Sequence, residues 1–183
     1  MILYVNCCAR ENSRTDILAR EVIKRIGDEV VELNLYKENL KSLDGKAVEK
    51  RNSLAAAGNF SDPMFDYAKQ FMSADTIVIG APFWDYSFPS LLKTYIENVF
   101  CVGLISVYDE NGVPHGTCKS KKLYYVSTAG GPFIPEYSYE WIKAVVTRSF
   151  GIPETQLIYA ENLDIVGNNP DEIMEKAIAS ITL

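Results

Sequence analysis

Residues 75 to 98, DTIVIGAPFWDYSFPSLLKTYIEN, decide the fold of this chain. Asp75 to Gly80 is a short apolar run rich in β-branched residues, which predicts a buried strand. Ala81-Pro82 ends that strand, because proline cannot extend a central ladder, and an amphipathic helix is predicted from about Ser87. The loop between them, Phe83 to Tyr86, places three aromatic rings and a carboxylate at the carboxyl end of the strand. Open α/β sheets bind ligands there, although aromatics that merely cap the core would give the same pattern.

The composition is that of one globular domain over residues 1 to 183, with 48% hydrophobic and 23% charged residues. The net charge of -6 argues against a nucleic-acid partner. Apolar runs are too short to span a membrane, and the N-terminus lacks the basic region of a signal peptide. The four cysteines have no C-x-x-C spacing. We therefore expect reduced thiols and a cytoplasmic protein without a membrane partner.

Strand and helix patterns alternate five times along the chain, which implies a parallel five-stranded sheet with helices on both faces. Residues 36–60 are polar and weakly periodic, and they are predicted to form a long loop, either a lid or a disordered surface segment. Residues 101–118 are predicted to be irregular. The predicted strands are Ile2–Asn6, Val30–Leu35, Asp75–Gly80, Leu123–Ser127 and Gln156–Ala160, and the predicted helices are Ser13–Ile26, Pro63–Ser73, Ser87–Phe100, Tyr139–Phe150 and one that opens at Asn169-Pro170.

Three of the loops that follow these strands have unusual content. Ala9 to Thr15 opens a helix whose free amides favour an anion, and it adds two hydroxyls and the guanidinium of Arg14. Pro82 to Tyr86 supplies the aromatic rings, and Thr128 to Gly131 supplies two glycines that allow close backbone approach. Asp16 disfavours an anion at the first loop, because its negative charge would repel a phosphate. Together the loops predict a site for a phosphorylated planar cofactor such as FMN.

Five segments of the sequence, taken in order, carry a resemblance to a known family. They are Ser13-Arg14-Thr15, Leu43-Asp44-Gly45, Ala81 to Tyr86 followed by Leu92-Lys93, Tyr108 before Glu110-Asn111-Gly112, and Ser127 to Gly131. Their order and spacing resemble the flavodoxin-like FMN-dependent NAD(P)H:quinone oxidoreductases and azoreductases. The resemblance covers nearly the whole chain. It implies a flavodoxin-like three-layer α/β/α sandwich, FMN as cofactor, NADH or NADPH as co-substrate, and a small-molecule electron acceptor such as a quinone or azo compound.

The same resemblance implies a homodimer in which the segment around Tyr108 reaches the partner's active site, so that Tyr108 belongs to the acceptor pocket. Trp84 and Tyr86 are expected to shape that pocket too, although packing of either ring against a neighbouring helix would fit the sequence equally. No side chain is assigned as catalytic, because the flavin carries the chemistry. Nicotinamide and acceptor would use one open face in turn, which predicts ping-pong kinetics. The residues expected to hold FMN are Cys8, Ser13, Arg14, Thr15, Pro82, Phe83, Trp84, Asp85, Tyr86, Thr128, Ala129, Gly130 and Gly131.

Two other functions fit parts of the sequence. Cys8, five intervening residues and Arg14-Thr15 match the C-x5-R-[ST] loop of low-molecular-weight tyrosine phosphatases, in which Cys8 would be a thiolate. Those enzymes also need a late Asp-Pro acid, whereas the only Asp-Pro here is Asp62-Pro63. A flavodoxin-type electron carrier would suit the acidic pI of about 4.9. The long 36–60 and 101–118 segments favour an enzyme with a built pocket instead.

Overall fold

A computed structural model describes residues 1 to 183 and contains a parallel sheet of five strands, as the sequence predicts. The chain has seven strands in all, of which five form this sheet. They are β1 (Ile2–Asn6), β2 (Val30–Asn34), β3 (Thr76–Gly80), β4 (Ser106–Tyr108), β5 (Pro114–Gly116), β6 (Lys122–Thr128) and β7 (Glu154–Ala160). The sheet order is β2-β1-β3-β6-β7, while β4 and β5 form a separate antiparallel pair. Asn6 pairs with Gly80, and Gly80 with Val126. The carboxyl ends of the central strands therefore meet at one edge.

Helices cover both faces of the sheet, which confirms the three-layer α/β/α sandwich. The helices are α1 (Arg14–Ile26), α2 (Gly45–Ala56), α3 (Asp66–Ser73), α4 (Ser90–Val99), α5 (Tyr139–Val145) and α6 (Pro170–Ala179). The larger core includes Phe71, Tyr95 and Ile142, and the smaller core on the opposite face includes Leu18 and Met174. β1 and β3 are buried on both faces because their β-branched and aliphatic side chains have a core on each side.

The ends of α1 form as the sequence predicts. The Ser13 hydroxyl accepts a hydrogen bond from the amide of Asp16, which caps the helix. Gly27 ends it in the left-handed region at φ 73°, and its amide donates to the carbonyl of Ile23. This helix therefore starts at the carboxyl end of β1, and the amides of its first two residues, Arg14 and Thr15, have no partner within the helix.

The prediction that residues 36–60 form one long loop is wrong, because α2 occupies Gly45–Ala56. The Asp44 carboxylate caps α2 by accepting from the amide of Ala47 at 2.8 Å. None of its residues is fully buried. A helix without a buried stripe has no strong apolar periodicity, so hydrophobic patterning could not reveal it.

The 101–118 segment, predicted to be irregular, contains the β4–β5 hairpin. Its turn carries Gly112 at φ 75°, and the Asp109 carboxylate lies 3.0 Å from Nε2 of His115. The base of the hairpin rests on the backbone of Phe150 and Gly151, which precede β7. The hairpin base is therefore anchored at the amino end of the sheet, away from the carboxyl edge.

Three helix boundaries also differ from the prediction. The predicted Pro63–Ser73 helix begins with a 3-10 turn over Pro63–Phe65, and α3 itself starts at Asp66. α4 begins at Ser90 with Pro89 just before it, three residues later than expected, because Trp84 to Ser87 form a tight turn. The predicted Tyr139–Phe150 helix is α-helical to Val145 and continues as a π-helical turn over Val146–Phe150. None of the helices is long and apolar enough to cross a membrane.

Candidate functional site

A cavity of about 470 Å³ opens at the carboxyl edge of the sheet, between β1, β3 and β6. This is the position at which parallel α/β sheets bind ligands. Its lining residues are Ala9, Arg10, Asn12, Ser13, Arg14, Thr15, Pro82, Phe83, Trp84, Asp85, Thr128, Ala129, Gly130, Leu163 and Asp164. All three predicted loops contribute, so the structure brings them together as the sequence analysis expects.

A buried hydrogen bond joins the first and third loops. The hydroxyls of Thr15 and Thr128 lie 2.7 Å apart, with Thr15 fully buried. This contact ties the first turn of α1 to the end of β6. It holds the amides at the start of α1 beside the glycine-containing loop, where an anionic group could accept from them.

Asp16 does not place its charge in the cavity. Its carboxylate accepts from the Tyr4 hydroxyl at 2.7 Å and from the Asn6 amide at 3.1 Å. Arg20 donates to the other oxygen at 2.8 Å and also to Glu32. The repulsion that the sequence suggests between Asp16 and a bound phosphate is therefore removed by orientation and by pairing.

The aromatic loop is a two-residue β-turn. Trp84 and Ser87 exchange backbone hydrogen bonds of 2.8 Å in both directions. The two central residues, Asp85 and Tyr86, have φ values of 50° and 64°. Such turns favour glycine or asparagine, and a tyrosine in the left-handed region is strained. The Phe83 amide donates to the carbonyl of Thr128 at 3.0 Å, so this strained turn is fixed against the third loop.

A fourth loop, after β7, was missed by the sequence analysis. The amides of Leu163 and Asp164 donate to the carbonyls of Ala129 and Gly130, at 3.2 and 2.8 Å. Asp164 then pairs with Arg14, with 2.9 Å between Oδ1 and Nη1. The only signal in the sequence was that this loop follows a strand of the same sheet, whose carboxyl end must reach the same edge.

Four predicted site residues lie outside the cavity lining. Cys8 is 6% exposed, and its thiol lies 3.7 Å from the carbonyl of Gly80. Tyr86 is 67% exposed and packs edge-to-face with Tyr137 at 6.4 Å, next to the aromatic turn. The carbonyl of Gly131 accepts from Asn162 in the fourth loop. Tyr108 is exposed on the β4–β5 hairpin.

The thiol chemistry argues against the phosphatase alternative. Burial raises the pKa of Cys8 to about 11, whereas a phosphatase nucleophile needs a thiolate near neutral pH. Asp62, the only Asp-Pro candidate acid, caps the turn that begins at Pro63 and pairs with Lys50 at 2.6 Å. Neither residue is placed for phosphate-ester hydrolysis.

Solved structures share this architecture. An azoreductase from Bacillus anthracis superimposes with a TM-score of 0.81 at 24% identity, covering 97% of this chain and 94% of that chain. A second structure from the same species, an FMN-dependent NADH-azoreductase in complex with FMN, gives a TM-score of 0.78 at 22% identity, with 97% and 93% covered. At these identities the likeness confirms the fold.

Sequence relatives are closer. An FMN-dependent NADH:quinone oxidoreductase of Clostridium beijerinckii is 36% identical over 155 residues, covering 82% of this chain and 77% of the relative. One of the same description from Coprothermobacter proteolyticus is 31% identical over 189 residues, covering 97% and 94%. A family model described as flavodoxin-like fold matches residues 1–182. The chain therefore belongs to the flavodoxin-like family that includes these quinone oxidoreductases.

Proposed function

We propose that residues 1 to 183 form one FMN-binding domain that acts as an NAD(P)H oxidoreductase on quinones, azo compounds or similar small acceptors. The relatives described above support the reaction class, since each is described as an FMN-dependent NADH:quinone oxidoreductase. The cavity supports the cofactor. The single observation that carries the proposal is the convergence of a helix N-terminus, an aromatic turn and a glycine-containing loop on one cavity.

The residues present fit FMN at both ends of the molecule. Free amides at the start of α1, the Ser13 hydroxyl and the guanidiniums of Arg10 and Arg14 suit a phosphate. Phe83 and Trp84 suit one side of a flat ring system, and Ala129 and Gly130 line another side of the cavity. The volume of about 470 Å³ lies within the range of ligand pockets, about 300–1,000 Å³.

When bound, FMN supplies a carrier that accepts a hydride from the nicotinamide and passes electrons to the acceptor. The chain positions the reactants and shapes the electrostatics. The Trp84 amide is engaged within its turn, so the backbone amide available at this side of the cavity would be that of the lining residue Asp85. Phe83 and Trp84, which line that end of the cavity, would shield a bound ring from water. Because one open face serves both substrates in turn, the proposed kinetics are ping-pong.

Flavin titration tests the cofactor. Adding the flavin-free protein is expected to change FMN fluorescence until the signal saturates. The dissociation constant should be micromolar or lower, which is a binding free energy of about -8 kcal/mol or more favourable. Arg14→Ala and Ser13→Ala should weaken FMN more than riboflavin, because only FMN carries the phosphate. Equal losses for both ligands would remove the first loop from the phosphate site.

Turnover by the purified protein tests the activity. Steady NADH or NADPH oxidation with a quinone and no other protein is expected of an oxidoreductase. A flavodoxin-type carrier would bind FMN but sustain no such turnover, so the two functions separate in one assay. Double-reciprocal plots of the initial rate against NADH or NADPH concentration, made at several acceptor concentrations, would be parallel for ping-pong kinetics. Intersecting lines would contradict them.

We also propose a cytoplasmic homodimer. The sequence of the helix predicted from Ser87 carries more apolar residues than one sheet-facing stripe needs, which suggests an interface: Leu91, Leu92, Tyr95, Ile96, Val99 and Phe100. Four of them, Leu92, Tyr95, Ile96 and Val99, are buried in their own chain, so α4 alone does not supply the surface. An apolar groove between α2, α4 and α5 and the exposed side chains of the β4–β5 hairpin remain. The groove is lined by Leu43, Val48, Arg51, Lys93, Ile96, Glu97, Phe100, Trp141 and Val145.

A second copy seated on this face would bring its Tyr108 toward the partner's cavity, as the family resemblance implies. Sedimentation equilibrium should show a dimer at micromolar concentration, and Val48→Glu in the groove should shift it toward monomer. Tyr108→Ala should alter acceptor turnover while FMN affinity is kept. A wild-type monomer with full quinone turnover would contradict the shared site.

A further inference from the structure

The cation expected to hold the cofactor phosphate already has an anionic partner. Nη1 of Arg14 lies 2.9 Å from Oδ1 of Asp164, and both residues line the cavity. Arg10, the other guanidinium in the lining, forms no ion pair. The two cavity carboxylates are Asp85, in the aromatic turn, and Asp164, beside the phosphate end. Asp164 is therefore the acidic group that contacts the same arginine as the expected phosphate.

The position of Asp164 is built into the fold. Its amide donates to the carbonyl of Gly130 at 2.8 Å, and the neighbouring Leu163 and Asn162 donate to Ala129 and Gly131. A Cβ at residue 130 would lie 2.5 Å from Oδ2 of Asp164. The carboxylate thus lies directly against the glycine backbone, in the space that a side chain at residue 130 would occupy.

We propose that Asp164 is a specificity-determining residue: its carboxylate pairs with Arg14 and competes with the phosphate of an incoming flavin. The inference rests on the proposed function and deepens it. A phosphate dianion carries enough charge to displace one carboxylate from a guanidinium, and a flavin without phosphate gains nothing from that exchange. Asp164 is 70% exposed at its side chain, so it can turn into solvent when displaced.

The proposal predicts the direction of a charge-removing substitution. Asp164→Asn keeps the size and the backbone contacts, reduces the ion pair with Arg14 to a weaker neutral hydrogen bond, and removes a negative charge near the phosphate. FMN affinity should rise between about threefold and tenfold at low salt. Riboflavin affinity should stay unchanged. The gain should shrink with added NaCl, because the interaction is exposed to solvent and is screened.

Fluorescence titration of the flavin-free protein with FMN and with riboflavin measures both dissociation constants. Asp164→Glu keeps the charge and should keep the wild-type ratio of the two affinities. Asp171→Asn, in the first turn of α6, removes one carboxylate outside the cavity and controls for net charge. Circular dichroism confirms that each variant is folded, and Asp164→Ala provides a second neutral variant.

Each result decides the matter. Tighter FMN with unchanged riboflavin supports the competition. Weaker FMN binding in Asp164→Asn would show that Asp164 instead orients Arg14 for the phosphate. An equal change in affinity for both flavins would show that the effect of Asp164 does not involve the phosphate, and no change for either flavin would show that its charge is irrelevant. Each of these variant results would overturn the inference about Asp164, and the proposed function would still stand as long as the wild-type protein binds FMN. No FMN binding by wild type would overturn the proposed function itself, and the inference with it.

Discussion

Tyr86 occupies a backbone conformation that glycine would adopt more easily. Its φ is 64°, in the left-handed region that costs a residue with a Cβ about 1–2 kcal/mol. Glycine avoids that cost but loses about 0.5–1 kcal/mol to greater freedom in the unfolded chain. Tyr86→Gly should therefore be more stable than Tyr86→Ala by about 1 kcal/mol. Both variants lack the ring, so the comparison isolates the backbone.

Urea denaturation measures the difference, with equal m values required of the two variants. In thermal unfolding it corresponds to about 2–4 °C for a chain of this size. The control is Tyr159, an exposed tyrosine within β7, where the glycine variant should be the less stable one. If Tyr86→Gly is no more stable than Tyr86→Ala, the strain argument fails.

Function should respond differently from stability. Tyr86 lies outside the cavity lining and exposes 67% of its surface next to the aromatic turn. Both variants should keep FMN affinity and raise the KM for flat aromatic acceptors, because a stacking surface is lost. The glycine variant would then be more stable than the alanine variant, while both would be poorer enzymes than the wild type because both lack the ring.

Three further predictions follow from contacts elsewhere in the chain. Gly116→Ala places a Cβ 1.8 Å from the backbone of Phe150, so it should lower the free energy of unfolding by about 3 kcal/mol or detach the hairpin from the sheet. Gly112→Ala has open space around the new Cβ but a φ of 75°, so it should lower the free energy of unfolding, measured by urea denaturation, by only about 1 kcal/mol. Cys8→Ser should retain NAD(P)H-dependent quinone reduction, and aryl-phosphate hydrolysis lost in this variant would contradict the flavin assignment. Lys119 and the N-terminal amine hold the pKa of Asp75 at about 2, below its usual 3.8. The ionised carboxylate therefore stabilises the folded state fully above pH 3.8, and this contribution is lost as the pH falls through 2. In Asp75→Asn, the free energy of unfolding should depend less steeply on pH in that range.

Local chemistry was sufficient for the sheet and for most of the site. β1 and β3 are continuous apolar runs, and their burial on both faces leaves few alternatives to a central parallel strand. Ser13 and Gly27 mark the ends of α1 by capping rules that act over a few residues. Because carboxyl ends of parallel strands share one edge, the loops at Ser13, Trp84 and Gly130 could be placed together before any coordinates.

Tertiary structure decided what depends on partners far along the chain. α2 was missed because an exposed helix leaves no apolar stripe. The orientation of Asp16 toward Tyr4 and Asn6 and the pairing of Arg14 with Asp164 across 150 positions follow from packing of separate elements. The burial that raises the pKa of Cys8 has the same origin. Sequence patterns report local geometry and burial, whereas the charge that each site atom meets is set by residues that only the fold brings near.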